Sequence, residues 1–188
     1  MLIAEDETLI RLDIQQLLVA AGYDVVAAVC DGYEAVELAR ETKPDLAVLD
    51  VKMPRIDGID AAVQLLSERP IPIVMVTAYG EGELVRRASA AGAFGYLTKP
   101  FRGVDLINAI ELASARFCEL SELQTQADSL AEALVARKAI ERAKGLLMDS
   151  EKLSEAEAFA RIRRASQTSG RSMREIAEMI VVTLSPTA

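Results

Sequence analysis

Histidine is absent from all 188 residues of the chain. That removes imidazole acid–base catalysis, histidine metal ligation and any phosphohistidine role for this protein. Cysteine is nearly as scarce. Cys30 and Cys118 lie far apart and match no metal-ligand spacing, so they read as free thiols in a reducing compartment. Long apolar runs are also missing. No uninterrupted stretch approaches the length that spans a bilayer, and nothing resembles a signal peptide. No membrane association is expected, and the expected location is the cytoplasm. Positive charge is in deficit, with 21 Lys and Arg against 29 Asp and Glu and a net charge of −8, which taken alone argues against nucleic acid.

What is present is an apolar fraction of 51%, enough for a sizeable core in one ordinary domain with a small second one. The charge is unevenly spread. Residues 1–117 carry a net −7 and residues 118–136 a net −4. Residues 137–174 hold ten bases against five acids. A basic segment is therefore hidden inside an acidic total.

Leu46-Ala-Val-Leu49 is an apolar run with no polar face, which suits a central strand of a parallel sheet. Asp50 follows it. A carboxylate at the tip of a buried strand is costly unless something pairs with it. The surrounding chain repeats one pattern. Leu2 to Ala4 is a short strand ending at Glu5-Asp6. Leu9, Leu12, Ile14, Leu17 and Leu18 recur at helical spacing until Gly22. Val25 to Val29 is a second strand, and a helix with Ala35, Val36, Leu38 and Ala39 runs from Asp31-Gly32 to Lys43-Pro44. After the Asp50 strand, Asp57-Gly58 opens a helix closed by Pro70. Ile71 to Val76 is a strand ending at Thr77-Ala78, a short helix is expected from Glu81 to Ala91, and Phe94 to Leu97 is a strand ending at Thr98-Lys99-Pro100. Five β-α repeats imply a doubly wound parallel sheet with helices on both faces.

Parallel strands bring Glu5, Asp6, Asp50, Thr77 and Lys99 to one edge of that sheet. Three crowded carboxylates need a cation, and an oxygen-only ligand set favours Mg²⁺. An ammonium and a hydroxyl beside them suit an incoming phosphoryl group, whose charge must be neutralised on several oxygens at once. Any one of these residues alone would read as a helix cap or a solvated loop acid.

Glu5-Asp6, Asp50, Met53-Pro54, Asp57-Gly58, Thr77-Ala78 and Lys99-Pro100 together resemble the receiver domain of two-component response regulators, over residues 1–117. The resemblance implies a flavodoxin-like fold and a sensor histidine kinase as partner. It implies Asp50 as phosphoacceptor, with Thr77 and Lys99 binding the phosphoryl group. Mg²⁺ would be held by Asp6, Asp50 and the Lys52 backbone carbonyl, and by Glu5 through water. Lys99-Pro100 is expected to be cis. Thr77 and Tyr96 stand at the switch positions, although Tyr96 could equally be a plain strand aromatic. Glu5 departs from the Asp that many members carry there. No further nucleophile–base pair or nucleotide loop is recognisable, so no enzymatic activity is expected beyond the receiver's own phosphorylation and hydrolysis.

The last receiver helix does not stop. Leu106, Ile110, Ala113, Phe117 and Leu120 keep a 4-3-4-3 spacing, and Leu123, Ala127, Leu130 and Leu134 resume it after a slip in phase. No proline interrupts residues 107–149, and Gly145 is the only glycine there. Residues 118–136 read as a helical, coiled-coil connector, or else as a helix packed along its own domain. Its two heptads need support from neighbouring domains to pair. Residues 137–188 read as a small three-helix all-α domain. Ala136, Ile140, Ala143 and Leu147 stripe the first helix. Capping boxes at Ser154-Glu157 and Ser172-Glu175 open the others, with Ala158, Phe159, Ile162 and Ala165 inward in one and Ile176, Ala177, Ile180 and Leu184 in the other.

The bases Arg137, Lys138, Arg142, Lys144, Arg161, Arg164, Arg171 and Arg174 suit phosphates, and they would equally suit a solvated helix surface. The run from Arg137 to Met148, with Ala143-Lys-Gly-Leu-Leu-Met148 at its end, together with Glu157-Ala-Phe159, Arg164-Ala165 and Arg174-Glu-Ile-Ala177, resembles the ANTAR domain of bacterial antiterminators. That resemblance implies RNA stem-loops in leader transcripts as the target, a homodimer on activation, and transcription antitermination as the output. A DNA-binding helix-turn-helix regulator and a signalling adaptor without nucleic acid remain the other readings.

Overall fold

A computed structural model describes residues 1–78 and 92–184. The helix expected from Glu81 to Ala91 lies outside the described residues. The elements run β1 (Leu2–Ala4), α1 (Thr8–Ala20), β2 (Ala27–Val29), α2 (Gly32–Thr42), β3 (Ala47–Asp50), α3 (Gly58–Glu68), β4 (Ile73–Ala78), β5 (Gly95–Lys99), α4 (Gly103–Glu151), α5 (Glu155–Ser169) and α6 (Met173–Leu184). The chain divides into two compact units, Met1–Ser121 and Glu122–Ala188.

The first unit is a five-stranded sheet in the order β2-β1-β3-β4-β5. Every pairing is parallel. Side-chain alternation explains why β3 reads as uniformly apolar. Ala47 and Leu49 join the cluster under α2 and α3, with Leu2, Ala4, Ile73 and Met75. Val48 joins Ile3, Val74, Val76 and Leu97 in the cluster beneath α1 and the start of α4. Both faces of the strand are covered, so neither tolerates a polar residue. The connection reverses direction across the sheet at β1, which leaves a crevice outside the carboxyl ends of β1 and β3.

Local signals set the helix limits. Asp31 and Asp57 cap α2 and α3 by accepting from the backbone N–H of Glu34 and Asp60. Lys43, left-handed at φ 48°, ends α2 ahead of Pro44. In α1 only Ile14 and Leu18 are buried, while Leu9 is 82% exposed and Leu12 46%. The helix buries a narrow stripe, and residues 9 and 12 fall outside its arc.

Helix α4 is continuous for 49 residues. Leu106, Ile110 and Ala113 are buried against the sheet, and Phe117 meets the Phe94 ring edge-on. From Cys118 to Val135 every residue is exposed, Leu120, Leu123, Leu130 and Leu134 included. Within the second unit, Ala143 and Leu147 of α4 pack with Ala158 and Ile162 of α5 and Ile176 and Ala177 of α6. The Ser154–Glu157 capping box is complete, and α5 ends at Gly170, left-handed at φ 68°. Ser172 and Glu175 exchange the same pair of bonds before α6. Phe159, expected inward, is 42% exposed. It stands about 100° around the helix from Ala158, on the flank of the buried stripe.

Candidate functional site

The crevice is built by three strand ends. β1 delivers Glu5 and Asp6, β3 delivers Asp50, and β5 delivers Lys99. Carboxylate oxygens of Glu5, Asp6 and Asp50 all lie within 4.8 Å of one another. Glu5 is fully buried, Asp50 is 6% exposed, and Asp6 faces solvent. The Lys99 ammonium stands between the two buried acids. It lies 2.9 Å from Glu5 Oε1, 2.8 Å from Glu5 Oε2 and 3.2 Å from Asp50 Oδ2. Despite that close contact, Oε2 of Glu5 accepts no properly directed hydrogen bond among the described residues. The Lys99–Pro100 bond is cis.

Electrostatics follow from the geometry. Burial raises the Glu5 carboxyl above its usual range; its bond from Lys99 opposes this, and the Asp50 charge adds to it. Burial likewise raises Asp50, against the pull of Lys99 and with a further push from Asp6. For Lys99, burial favours the neutral amine, but the hydrogen bond to Glu5 and the Asp50 charge outweigh it and raise the ammonium. Among the described residues Lys99 thus pairs with the two buried carboxylates, and the third, Asp6, lies beside them. The surplus negative charge, the oxygen-only donor set and the unsatisfied Glu5 oxygen fit a hard divalent ion.

The remaining predicted residues lie on neighbouring strand ends and loops. Thr77, 3% exposed, lies at the end of β4 beside β5, in register with Thr98. Lys52 is two residues beyond Asp50 in the loop to α3 and is exposed. Tyr96 is half-buried against the α2–α3 cluster, and its hydroxyl is buried with no hydrogen-bond partner among the described residues.

Other residues that shape this site carry no motif of their own. Arg11, one turn into α1, donates 2.6 Å to the Glu5 carbonyl and so fixes the two acids' backbone. Gly58 lies so close to Asp50 that a Cβ there would sit 1.9 Å from the Asp50 carbonyl oxygen. Arg55, left-handed at φ 65°, donates to buried Asp31 at 2.8 Å and to Glu34 at 3.1 Å, and stacks over Tyr33. It ties the loop after Asp50 to the start of α2. It also neutralises a second acidic group, Asp31 and Glu34 beside Cys30.

In the second unit the basic candidates separate by partner. Arg137, Lys138, Arg142 and Arg164 are exposed and form no ion pair among the described residues. Arg161 pairs with Glu151 and Arg174 with Glu178. Arg171 reaches the Met179 sulfur. Lys144 differs from all of these. It is 7% exposed and clamped by Glu141 at 2.9 Å and Glu155 at 2.6 Å, so its charge holds α4 to α5. The bond it donates to Glu155, then that to Glu141, raises the Lys144 ammonium above its ordinary range.

Comparison with known proteins assigns both units. Residues 1–111 match the response regulator receiver domain, and residues 128–181 match the ANTAR domain. The transcriptional regulatory protein PdtaR of Mycobacterium tuberculosis is 50% identical over 183 residues, covering 97% of this chain and 89% of that protein. The chemotaxis protein CheY of Thermotoga maritima is 33% identical over 60% of this chain and 95% of its own length. Among solved structures, the signal receiver domain of a modulated diguanylate cyclase from Desulfovibrio desulfuricans G20 superposes with a TM-score of 0.57 at 34% identity, covering 62% of this chain and 93% of that one. The CheX–CheY–BeF3–Mg complex from Borrelia burgdorferi gives 0.55 at 25% identity, covering 58% of this chain and 84% of that one.

Proposed function

The chain belongs to the response regulators that join a receiver domain to an ANTAR domain, and from that premise we propose that it is an RNA-binding transcription antiterminator controlled by phosphorylation of Asp50. The observation that carries the first half is the Lys99 ammonium lying between buried Glu5 and Asp50 with Asp6 alongside.

The donor is a phosphohistidine of a sensor kinase, the phosphodonor that the receiver family supports. An Asp50 carboxylate oxygen attacks phosphorus, the P–N bond breaks, and the imidazole leaves. Burial raises the free energy of a charged Asp50, so the carboxylate is poorly solvated and ready to react. Lys99 then turns from Asp50 to the phosphoryl oxygens, and the Thr77 hydroxyl donates to another. Glu5, Asp6, Asp50 and the Lys52 carbonyl would hold Mg²⁺, which when bound neutralises phosphoryl oxygens and relieves the repulsion of the acids. The switch couples Thr77 to Tyr96, whose hydroxyl is already buried without a hydrogen-bond partner among the described residues.

The output is dimerisation and RNA binding. The exposed stripe Leu123, Ala127, Leu130 and Leu134 supports pairing of α4 between two copies. Exposed Arg137, Lys138, Arg142 and Arg164 support contact with RNA stem-loops of leader transcripts, in the cytoplasm. Among the described residues no helix is long and apolar enough to cross a membrane.

Incubation with acetyl phosphate and Mg²⁺, followed by intact mass measurement, tests the acceptor. Wild type should gain one phosphoryl group, and chelation or Asp50→Asn should abolish the gain. An Asp50→Asn chain that is still phosphorylated at the wild-type rate would refute the assignment.

A further inference from the structure

Gly145 is out of place by every internal criterion. It lies inside α4, two turns before the helix ends at Glu151, so it is not a cap. Its φ is not positive, so no left-handed turn requires it, and a Cβ built there would meet nothing within 4 Å, so no packing requires it either. Glycine is the poorest helix former after proline, so it weakens the helix that carries the second core. Its remaining physical use is to let another molecule approach the helix backbone.

The surroundings say what approaches. Gly145 lies on the face of α4 opposite Ala143 and Leu147. Lys138 and Arg142, seven and three residues earlier, share that face, and both are exposed without an ion pair among the described residues. Glu141 shares that face too, its carboxylate held at 2.9 Å by the Lys144 ammonium, which also holds Glu155. Asp149, one turn past Gly145, ends the positive run. A backbone laid bare beside two unpaired cations suits a sugar-phosphate chain.

We propose that the Lys138–Arg142–Gly145 face of α4 is where the RNA backbone docks, with Gly145 as the point of closest approach. This rests on the RNA-binding reading given above and specifies its surface. Lys138 and Arg142 contact phosphates, and the bare Gly145 backbone lets the strand lie against the helix. Arg161 and Arg174, already paired with acids, lie outside the footprint.

The test uses the full chain and an RNA of two tandem stem-loops, with loops enriched from a random pool on the wild-type protein. Binding is measured across a salt series, with thermal melting and light scattering alongside. Gly145→Ala should weaken RNA binding about tenfold while leaving the salt slope intact, because no charge is lost. It should melt no lower than wild type, since alanine favours the helix, and keep its mass. Lys138→Ala and Arg142→Ala should each reduce the salt slope by about 1. Wild-type affinity in Gly145→Ala would overturn the docking face while leaving RNA binding itself intact. A changed mass would assign the glycine to a second copy of the chain and overturn the proposal equally. Absence of salt-dependent RNA binding by the wild-type chain would remove the parent reading, and the docking face with it.

Discussion

Asp50 and Glu5 are buried acids that share one ammonium, so the ion-free receiver carries more negative charge than it can neutralise. A carboxyl raised in the folded state favours folding while it is protonated. That contribution is lost as pH rises through the raised value. Above that raised value, without a bound cation, the fold bears the full penalty of a charged Asp50. Asp50→Asn should melt a few degrees above wild type in chelator at neutral pH, and the gap should close as pH falls to the ordinary carboxylate range. Mg²⁺ should also close it, because only wild type gains the full stabilisation of binding. A variant that melts lower in chelator would mean that the Lys99 contact outweighs the burial. At this scale the strand ends readable in the sequence include four residues that meet, Glu5, Asp6, Asp50 and Lys99, because parallel strands bring them to one edge. The sequence did not show their partners. Lys144 reads like its basic neighbours, and its clamp by Glu141 and Glu155 depends on how α4 meets α5. The Arg55–Asp31 pair joins residues 24 apart and is marked by no motif.

The elements divide according to how local their signals are. Capping boxes at Ser154 and Ser172 were readable because a cap is a contact between neighbours in sequence. The β3 run was readable because both of its faces are covered. Phe159 was misread because periodicity gives the direction of a stripe but not its width. In the proposed mechanism the output runs through helix α4. Its stretch from Cys118 to Val135 exposes Leu120, Leu123, Leu130 and Leu134. Leu130→Ser combined with Leu134→Ser should prevent the phosphorylated chain from doubling its mass in light scattering. The same change should leave the receiver's melting transition where it is, since neither side chain enters its core. Dimerisation that survives the double change would place the interface elsewhere.

Across the whole molecule, a net charge of −8 conceals a segment, residues 137–174, with ten bases against five acids. In the proposed mechanism that segment is the output and Asp50 its input. A signal at one can reach the other only if phosphorylation favours a state that binds RNA better, and by that same factor. The measurement that decides this is the RNA affinity of the full chain, with and without acetyl phosphate, in Mg²⁺ and at fixed salt. Phosphorylation should tighten binding about tenfold, within the usual range of allosteric coupling, and Asp50→Asn should not respond. Equal affinity in both states, with phosphorylation verified by mass, would contradict control of RNA binding by Asp50.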